Sequence, residues 1–140
     1  MFDFAIVGAG VSGLSLAWLL CDALADPASP LRDRSILLID GVEDEDELRA
    51  LSFWARGDTP LEPLVRHRFS TLKVSDGEQE QLLPLREHTY RTLFFADLQR
   101  ETKARLTGQP QHRVVRGRLQ SLVQATDGGS VSLLVDGTVY

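Results

Sequence analysis

The chain has one cysteine, one methionine and two tryptophans in 140 residues. A single cysteine, Cys21, rules out an internal disulfide, which suits a reducing cytoplasm. It lies within an apolar stretch and reads as a small buried hydrophobe rather than a nucleophile. There is no excess of positive charge: the net charge is −5, and no basic stripe offers itself to phosphates, so nucleic acid is not an expected partner. No apolar run reaches the roughly 20 residues needed to cross a bilayer. The N-terminus lacks the basic region and unbroken apolar core of a secretory signal. Internal repeats and low-complexity segments are missing too. The three histidines, His67, His88 and His112, stand apart, with no partner at metal-ligand or triad spacing, and read as surface or structural residues. Ser12 and Ser15 lack the context of a nucleophile elbow. The remaining composition, 43% hydrophobic and 25% charged, is that of an ordinary globular domain.

The first thirteen residues are the most informative. Asp3-Phe4-Ala5-Ile6-Val7 has strand character and runs directly into Gly8-Ala9-Gly10-Val11-Ser12-Gly13, after which an apolar helix is expected from about Val11 to Ala25. Strand, G-x-G-x-x-G and helix in that order are the opening of a dinucleotide-binding βαβ unit. Gly8 permits the tight turn out of the strand, Gly10 lets a diphosphate approach the main chain, and Gly13 lets the helix close onto the sheet. The helix N-terminus, with its unpaired N–H groups, then faces the phosphates. The reading requires Gly8 to Gly13 at the junction of a central strand and a packed helix.

Ser35-Ile36-Leu37-Leu38-Ile39-Asp40 reads as a buried strand ending in an acid. Asp40 would accept hydrogen bonds from an adenosine ribose and repel a 2′-phosphate. It follows Gly13 by 27 residues, longer than the usual spacing of roughly 20. The Pro-rich loop Asp26-Pro27-Ala28-Ser29-Pro30 accounts for the excess. The candidate cofactor site is therefore Gly8, Ala9, Gly10, Val11, Ser12, Gly13 and Asp40. The helix is apolar nearly all round, a pattern normally buried on every side.

Further along, the acidic run Glu43-Asp44-Glu45-Asp46-Glu47 reads as a solvated loop or first helical turn. Arg56 to Pro60 is a turn. Phe69 to Val74 is a strand that turns at Asp76-Gly77 and returns over Gln79 to Leu83. Tyr90 to Phe95 is extended and aromatic, and an amphipathic helix is expected over Ala96 to Leu106, stopped by Gly108. Strands follow at Arg113 to Arg116, Leu119 to Ala125, Val131 to Val135 and from Thr138. Asp127-Gly128-Gly129 and Asp136-Gly137 are the turns between the last three.

Three stretches resemble the bacterial lycopene β-cyclases, which belong with aromatic hydroxylases and geranylgeranyl reductases in one FAD-dependent group. They are Asp3 to Ala17, Arg49-Ala50-Leu51-Ser52-Phe53-Trp54, and Tyr90-Arg91-Thr92-Leu93-Phe94-Phe95-Ala96-Asp97-Leu98. Leu51 stands where the family usually has Trp, and Phe94 where it usually has Arg. The resemblance implies an α/β, Rossmann-like FAD/NAD(P)-binding βαβ fold with an antiparallel β-meander and insertion, incomplete within these residues. Residues 1–140 would be the N-terminal part of that domain, with the substrate and catalytic part lying beyond 140.

The cofactor so implied is FAD; NAD uses the same turn. The activity implied is a non-redox cyclisation of carotenoid end groups, with an apolar polyene as substrate and peripheral membrane contact by an otherwise cytoplasmic protein. No catalytic residue is assigned and no metal is expected. Ser52, Phe53 and Trp54 could line the site beside the flavin or serve in packing. Two other functions remain open: a FAD- or NAD-dependent monooxygenase or reductase, and a nucleotide-binding module without catalysis.

Overall fold

The computed structural model of the protein describes residues 1–41, 49–126 and 128–140. In chain order its elements are β1 (Phe4–Val7), α1 (Val11–Ala25), β2 (Ile36–Asp40), β3 (Ala50–Ala55), β4 (His67–Phe69), β5 (Thr71–Ser75), β6 (Glu80–Pro84), β7 (Thr89–Phe94), α2 (Phe95–Thr107), β8 (Arg113–Arg116), β9 (Leu119–Gln124), β10 (Val131–Val135) and β11 (Thr138–Val139). A 3₁₀ turn covers Glu62–Leu64. The chain divides into two compact units, Met1–Glu45 with Gln99–Tyr140, and Asp46–Leu98. The acidic run Glu43 to Glu47 and Asp127 of the expected turn lie outside the described residues.

The first unit is built on a parallel sheet of order β1–β2–β8. Its middle strand, Ile36-Leu37-Leu38-Ile39, is buried throughout. An uninterrupted aliphatic run of this length fits a strand covered on both faces. Ile6 lies against Gly13 of α1, and its register partner Leu38 shares that face. On the other face Leu37 and Ile39 pack with Leu133 and Val135 of β10, edged by Phe2, Val115, Leu119 and Tyr140. The layers are thus helix, parallel sheet and the antiparallel meander β9–β10–β11, as expected for a Rossmann-like α/β fold. The β10–β11 turn needs positive φ at both central residues, Asp136 (42°) and Gly137 (79°), the pattern of a tight hairpin.

Two expectations for this unit are corrected. The parallel sheet ends at β1 among the described residues, so the glycine turn leaves an edge strand and not a central one. Nor is α1 buried on every side: Leu14, Ala17, Trp18 and Leu24 are buried, while Leu16 and Leu19 are about half exposed. The helix covers one face of a single sheet, and only one stripe of it can be buried there. Beside it, Arg105 of α2 lays its guanidinium over the Trp18 ring, 3.3 Å from the centroid, and bonds Asp22 at 2.6 Å. Cys21 is half-buried, and burial raises its thiol pKa.

The second unit holds an antiparallel sheet of order β3–β7–β4 and the separate hairpin β5–β6. The single strand expected over Phe69 to Val74 is two strands, because β4 pairs with β7 while β5 pairs with β6. The break falls at Ser70, whose carbonyl instead accepts the Leu85 N–H at 2.8 Å. The Asp76 carboxylate accepts the Glu78 and Gln79 amides at 3.0 and 2.8 Å and closes the hairpin, with Gly77 at φ 100°. Strand β3 carries no turn or alternation signal strong enough to announce it. It is held by β7, which it pairs along its whole length from Ala50↔Phe94 to Ala55↔Thr89.

The covered face of the β3–β7–β4 sheet contains charge. Arg91 is 5% exposed and ion-paired with Glu62. It also donates to the Gly57 carbonyl at 2.6 Å and to Thr89 Oγ1 at 2.8 Å. Arg68 approaches Glu62 Oε1 through Nε and Nη2 at 2.9 and 2.6 Å. Burial of the guanidinium is tolerable because its donors meet a carboxylate, a carbonyl and a hydroxyl.

Candidate nucleotide site at the glycine turn

The polypeptide leaves β1 through Gly8, whose N–H still donates to the Ile39 carbonyl at 2.7 Å and whose φ of 98° disfavours a side chain. Gly13 sits where the first turn of α1 crosses that bend. A Cβ there would lie 1.9 Å from the Gly8 carbonyl oxygen and 3.3 Å from Ile6 Cγ2. Gly10 differs: its φ is −72°, and a Cβ built on it meets nothing within 4 Å. Gly8 is therefore required by its backbone conformation and Gly13 by close packing, whereas Gly10 borders open space.

α1 begins at this open space without a side-chain cap and without an acid in its first turn. Its first intrahelical bond runs from the Leu14 N–H to the Gly10 carbonyl at 2.9 Å. The amides of the first turn, Val11 to Gly13, are those that an α-helix leaves unmatched, and they suit an anion. Ala9 is buried, Val11 half-buried and Ser12 exposed.

The structure brings Asp40 to the same place. It ends β2, and the Ala9 N–H points at Asp40 Oδ1 at 3.4 Å. Seven positions identified from sequence, Gly8 to Gly13 and Asp40, thus gather at the C-terminal edge of the parallel sheet, where α/β folds bind ligands. The loop that lengthens the spacing is accommodated by turns at the other end of α1, where the Asp26 carboxylate accepts the Ala28 N–H at 2.8 Å.

Gly117 belongs to this edge and was not identified from the sequence. Its N–H donates to the Asp40 carbonyl at 2.9 Å. A Cβ there would lie 2.6 Å from Val135 Cγ1 and 2.9 Å from Asp136 Oδ2. The only available signal was a glycine closing an Arg-Val-Val-Arg strand. That marks a strand end but does not say that the end lies against Asp40.

His112 accepts the Ile36 N–H through Nδ1 at 3.2 Å, and burial lowers its pKa. It joins the N-terminal ends of β8 and β2, the end of the sheet away from the glycine turn. Ser52, Phe53 and Trp54 lie on β3, in the other unit. No helix among the described residues is long and apolar enough to cross a membrane.

No family model matches the chain, and no curated protein matches it. Solved structures do. PqsL, a probable FAD-dependent monooxygenase from Pseudomonas aeruginosa, superposes with a TM-score of 0.70 at 17% identity, over 99% of this chain and 39% of that one. The same protein in complex with 2-aminobenzoylacetate gives a TM-score of 0.66 at 16% identity, over 99% of this chain and 40% of that one. A tryptophan halogenase from Shewanella frigidimarina gives 0.62 at 12% identity, over 94% of this chain and 39% of its own. QhpG, a peptidyl tryptophan dihydroxylase, gives 0.56 at 17% identity, over 99% of this chain and 30% of its own. At these identities the likeness is one of fold: the chain has part of the Rossmann-like fold found in these flavoenzymes. It spans about two-fifths of the length of PqsL.

Proposed function

We propose that these residues form the FAD-binding front of a flavin-dependent monooxygenase. The observation that carries the reading is the open face of Gly10 before the uncapped N-terminus of α1, with Asp40 beside it. The main chain at Gly10 and the amides of Val11 to Gly13 would hold the diphosphate, and Asp40 would accept the ribose hydroxyls while repelling a 2′-phosphate. When bound, FAD supplies the redox chemistry; the protein's part is to hold and orient it. FAD is preferred to NAD because the neighbours in fold include an FAD-dependent monooxygenase.

Those neighbours also reorder the activities that the sequence left open. They support an oxygenase-like flavoenzyme over a lycopene cyclase, whose polyene substrate and membrane contact rest only on the three resembling stretches. The aromatic molecules in the neighbours' names, 2-aminobenzoylacetate and tryptophan, favour an aromatic substrate here too. Because the chain spans about two-fifths of PqsL, the oxygenase activity is proposed for a whole enzyme and the cofactor binding for these residues.

Titration of the purified protein with FAD, followed by flavin fluorescence, tests the binding. Saturable binding is expected, and Gly10→Val should abolish it without unfolding the protein, since neither backbone strain nor a neighbour opposes the side chain. Asp40→Ala should weaken binding by about 1.5–3 kcal/mol, the value of a hydrogen bond to a charged group. If Gly10→Val kept its flavin, the site assignment would be wrong. In an enzyme of full length, stoichiometric NADH consumption would separate oxygenase from cyclase.

A further inference from the structure

Three passes of the chain cross beside Asp40: Asp40-Gly41 at the end of β2, Gly117-Arg118 after β8, and Val135-Asp136 at the end of β10. The first crossing joins β2 to β8. The Gly117 N–H donates to the Asp40 carbonyl at 2.9 Å. A Cβ on Gly41 would lie 3.2 Å from the Gly117 carbonyl oxygen and 3.6 Å from Arg118 Cα. The second crossing joins β8 to the meander. Gly117 is buried, and Val135 Cγ1 and Asp136 Oδ2 stand within 3 Å of where its Cβ would be. The Arg118 N–H donates to Asp136 Oδ2 at 3.1 Å, and the Arg118 carbonyl accepts the Asp136 N–H at 3.3 Å. Asp136 thus holds both main-chain polar groups of the residue that follows Gly117.

Local devices bring Asp136 to this place. The pairing of β10 with β9 passes from Leu134↔Ser121 to Val135↔Leu119 and skips Gln120. A bulge of this kind bends a strand and re-aims its side chains. The skipped Gln120 accepts the Gly137 N–H through Oε1 at 3.0 Å. Asp136 takes a φ of 42°, which a short polar side chain tolerates. Glycine would serve the turn at least as well, but it has no carboxylate to reach Arg118.

We propose that Asp136 is a positioning residue for Asp40. Its carboxylate fixes Arg118 and with it Gly117. Gly117 fixes the main chain of Asp40, whose Oδ1 faces the Ala9 N–H at 3.4 Å. The meander thereby sets where the ribose-binding carboxylate stands, and Asp136 acts through these residues rather than by contact with the cofactor. The inference rests on the reading of Asp40 given above. It adds a residue nearly a hundred positions further along the chain to the site that Asp40 and the glycine turn form.

The experiment is a titration of the full chain with FAD, followed by flavin fluorescence. Asp136→Gly keeps the backbone of the turn and removes the carboxylate. It should weaken FAD between about twofold and tenfold, the size of one hydrogen bond. Asp136→Asn keeps a side-chain oxygen for the Arg118 N–H and should bind FAD as the native chain does. Added to Asp40→Ala, Asp136→Gly should weaken FAD no further, because the brace acts through Asp40. In the chain without FAD, the Ala9 amide resonance should move in Asp136→Gly and hold its place in Asp136→Asn. Gly117→Ala breaks the same crossing from the other side and should also weaken FAD.

FAD affinity indifferent to Asp136→Gly and to Gly117→Ala would overturn the brace while leaving the flavin reading intact. A loss on Asp136→Gly that persists in the Asp40→Ala chain would overturn it too, since the effect would then not pass through Asp40. Failure of the native chain to bind FAD would overturn the flavin reading. The Ala9 resonance then decides the brace by itself, and a signal unmoved by Asp136→Gly would sink it. Far-UV circular dichroism of each variant, with two independent substitutions at the crossing, keeps the result separate from any one substitution's effect on folding.

Discussion

Two of this protein's sheets, β1–β2–β8 and β3–β7–β4, cover their middle strands in different ways. In the parallel sheet, β2 is aliphatic on both faces and both faces are covered, by helix and by meander. In the antiparallel sheet, β7 places Arg91 and Leu93 on the covered face and Tyr90, Thr92 and Phe94 on the open one. Hydrophobic burial alone accounts for the first sheet. The second buries Ala55 and Leu93 beside a guanidinium that donates to a carboxylate, a carbonyl and a hydroxyl, and it leaves Trp54 and Phe69 about half exposed on the other face. Apolar side chains are therefore interior on both faces of β2 but on only one face of the β3–β7–β4 sheet.

The contrast is most sharply tested at Arg91. Replacing it with Leu removes one of the two arginine partners of the Glu62 carboxylate and leaves the Gly57 carbonyl without its donor. It should cost about 3 kcal/mol, read as a lowered urea midpoint. Trp54→Ser, on the opposite face of the same sheet, should change stability by less than about 0.5 kcal/mol. Equal effects from the two would mean that the faces have been assigned the wrong way round.

A smaller effect is expected in the parallel sheet, where the constraint is steric. Gly13→Ala drives a methyl group into the Gly8 carbonyl and should cost about 1–3 kcal/mol. Gly10→Ala, three residues away in open space, should leave the thermal midpoint nearly unchanged. If both alanines were tolerated alike, the close crossing of α1 over the glycine turn would not exist.

The smallest effect concerns acid. Asp3 precedes β1 and accepts hydrogen bonds from the Ser35 hydroxyl and amide, with Arg34 adding its charge. These contacts hold its carboxyl well below the ordinary 3.8. A carboxyl whose folded pKa is depressed stabilises the fold above its unfolded pKa and loses that contribution as pH falls toward the folded one. Asp3→Asn should therefore flatten the decline in stability below about pH 3.8. An unchanged acid limb would show that the contact at the start of β1 contributes nothing.

Much of the first unit was legible in the sequence because its information is local. The glycines, the apolar helix and the strand ending in Asp40 each announce themselves within a few residues, and β8 is found at the bounds read for it, Arg113–Arg116. The second unit was harder to read. Phe69 to Val74 alternates like one strand, but it serves two partners and breaks at Ser70. Strand β3 follows the acidic run with no pattern of its own, and its identity comes from β7, some forty residues on. Gly117 at the site edge escaped notice for the same reason: its meaning lies in contact with Asp40 and Val135, not in its neighbours along the chain.

The amino-acid order alone determined that a strand, a glycine bend and a helix would meet at an uncapped helix N-terminus, because backbone freedom at glycine and unpaired helix amides are properties of residues and their immediate succession. Tertiary structure decided the rest. It brought Asp40 to the bend across 27 residues and set β1 at an edge of the parallel sheet. It also turned Arg91 inward and Trp54 outward. Which face of a strand is covered depends on what packs against it, and that is settled only when distant segments come together.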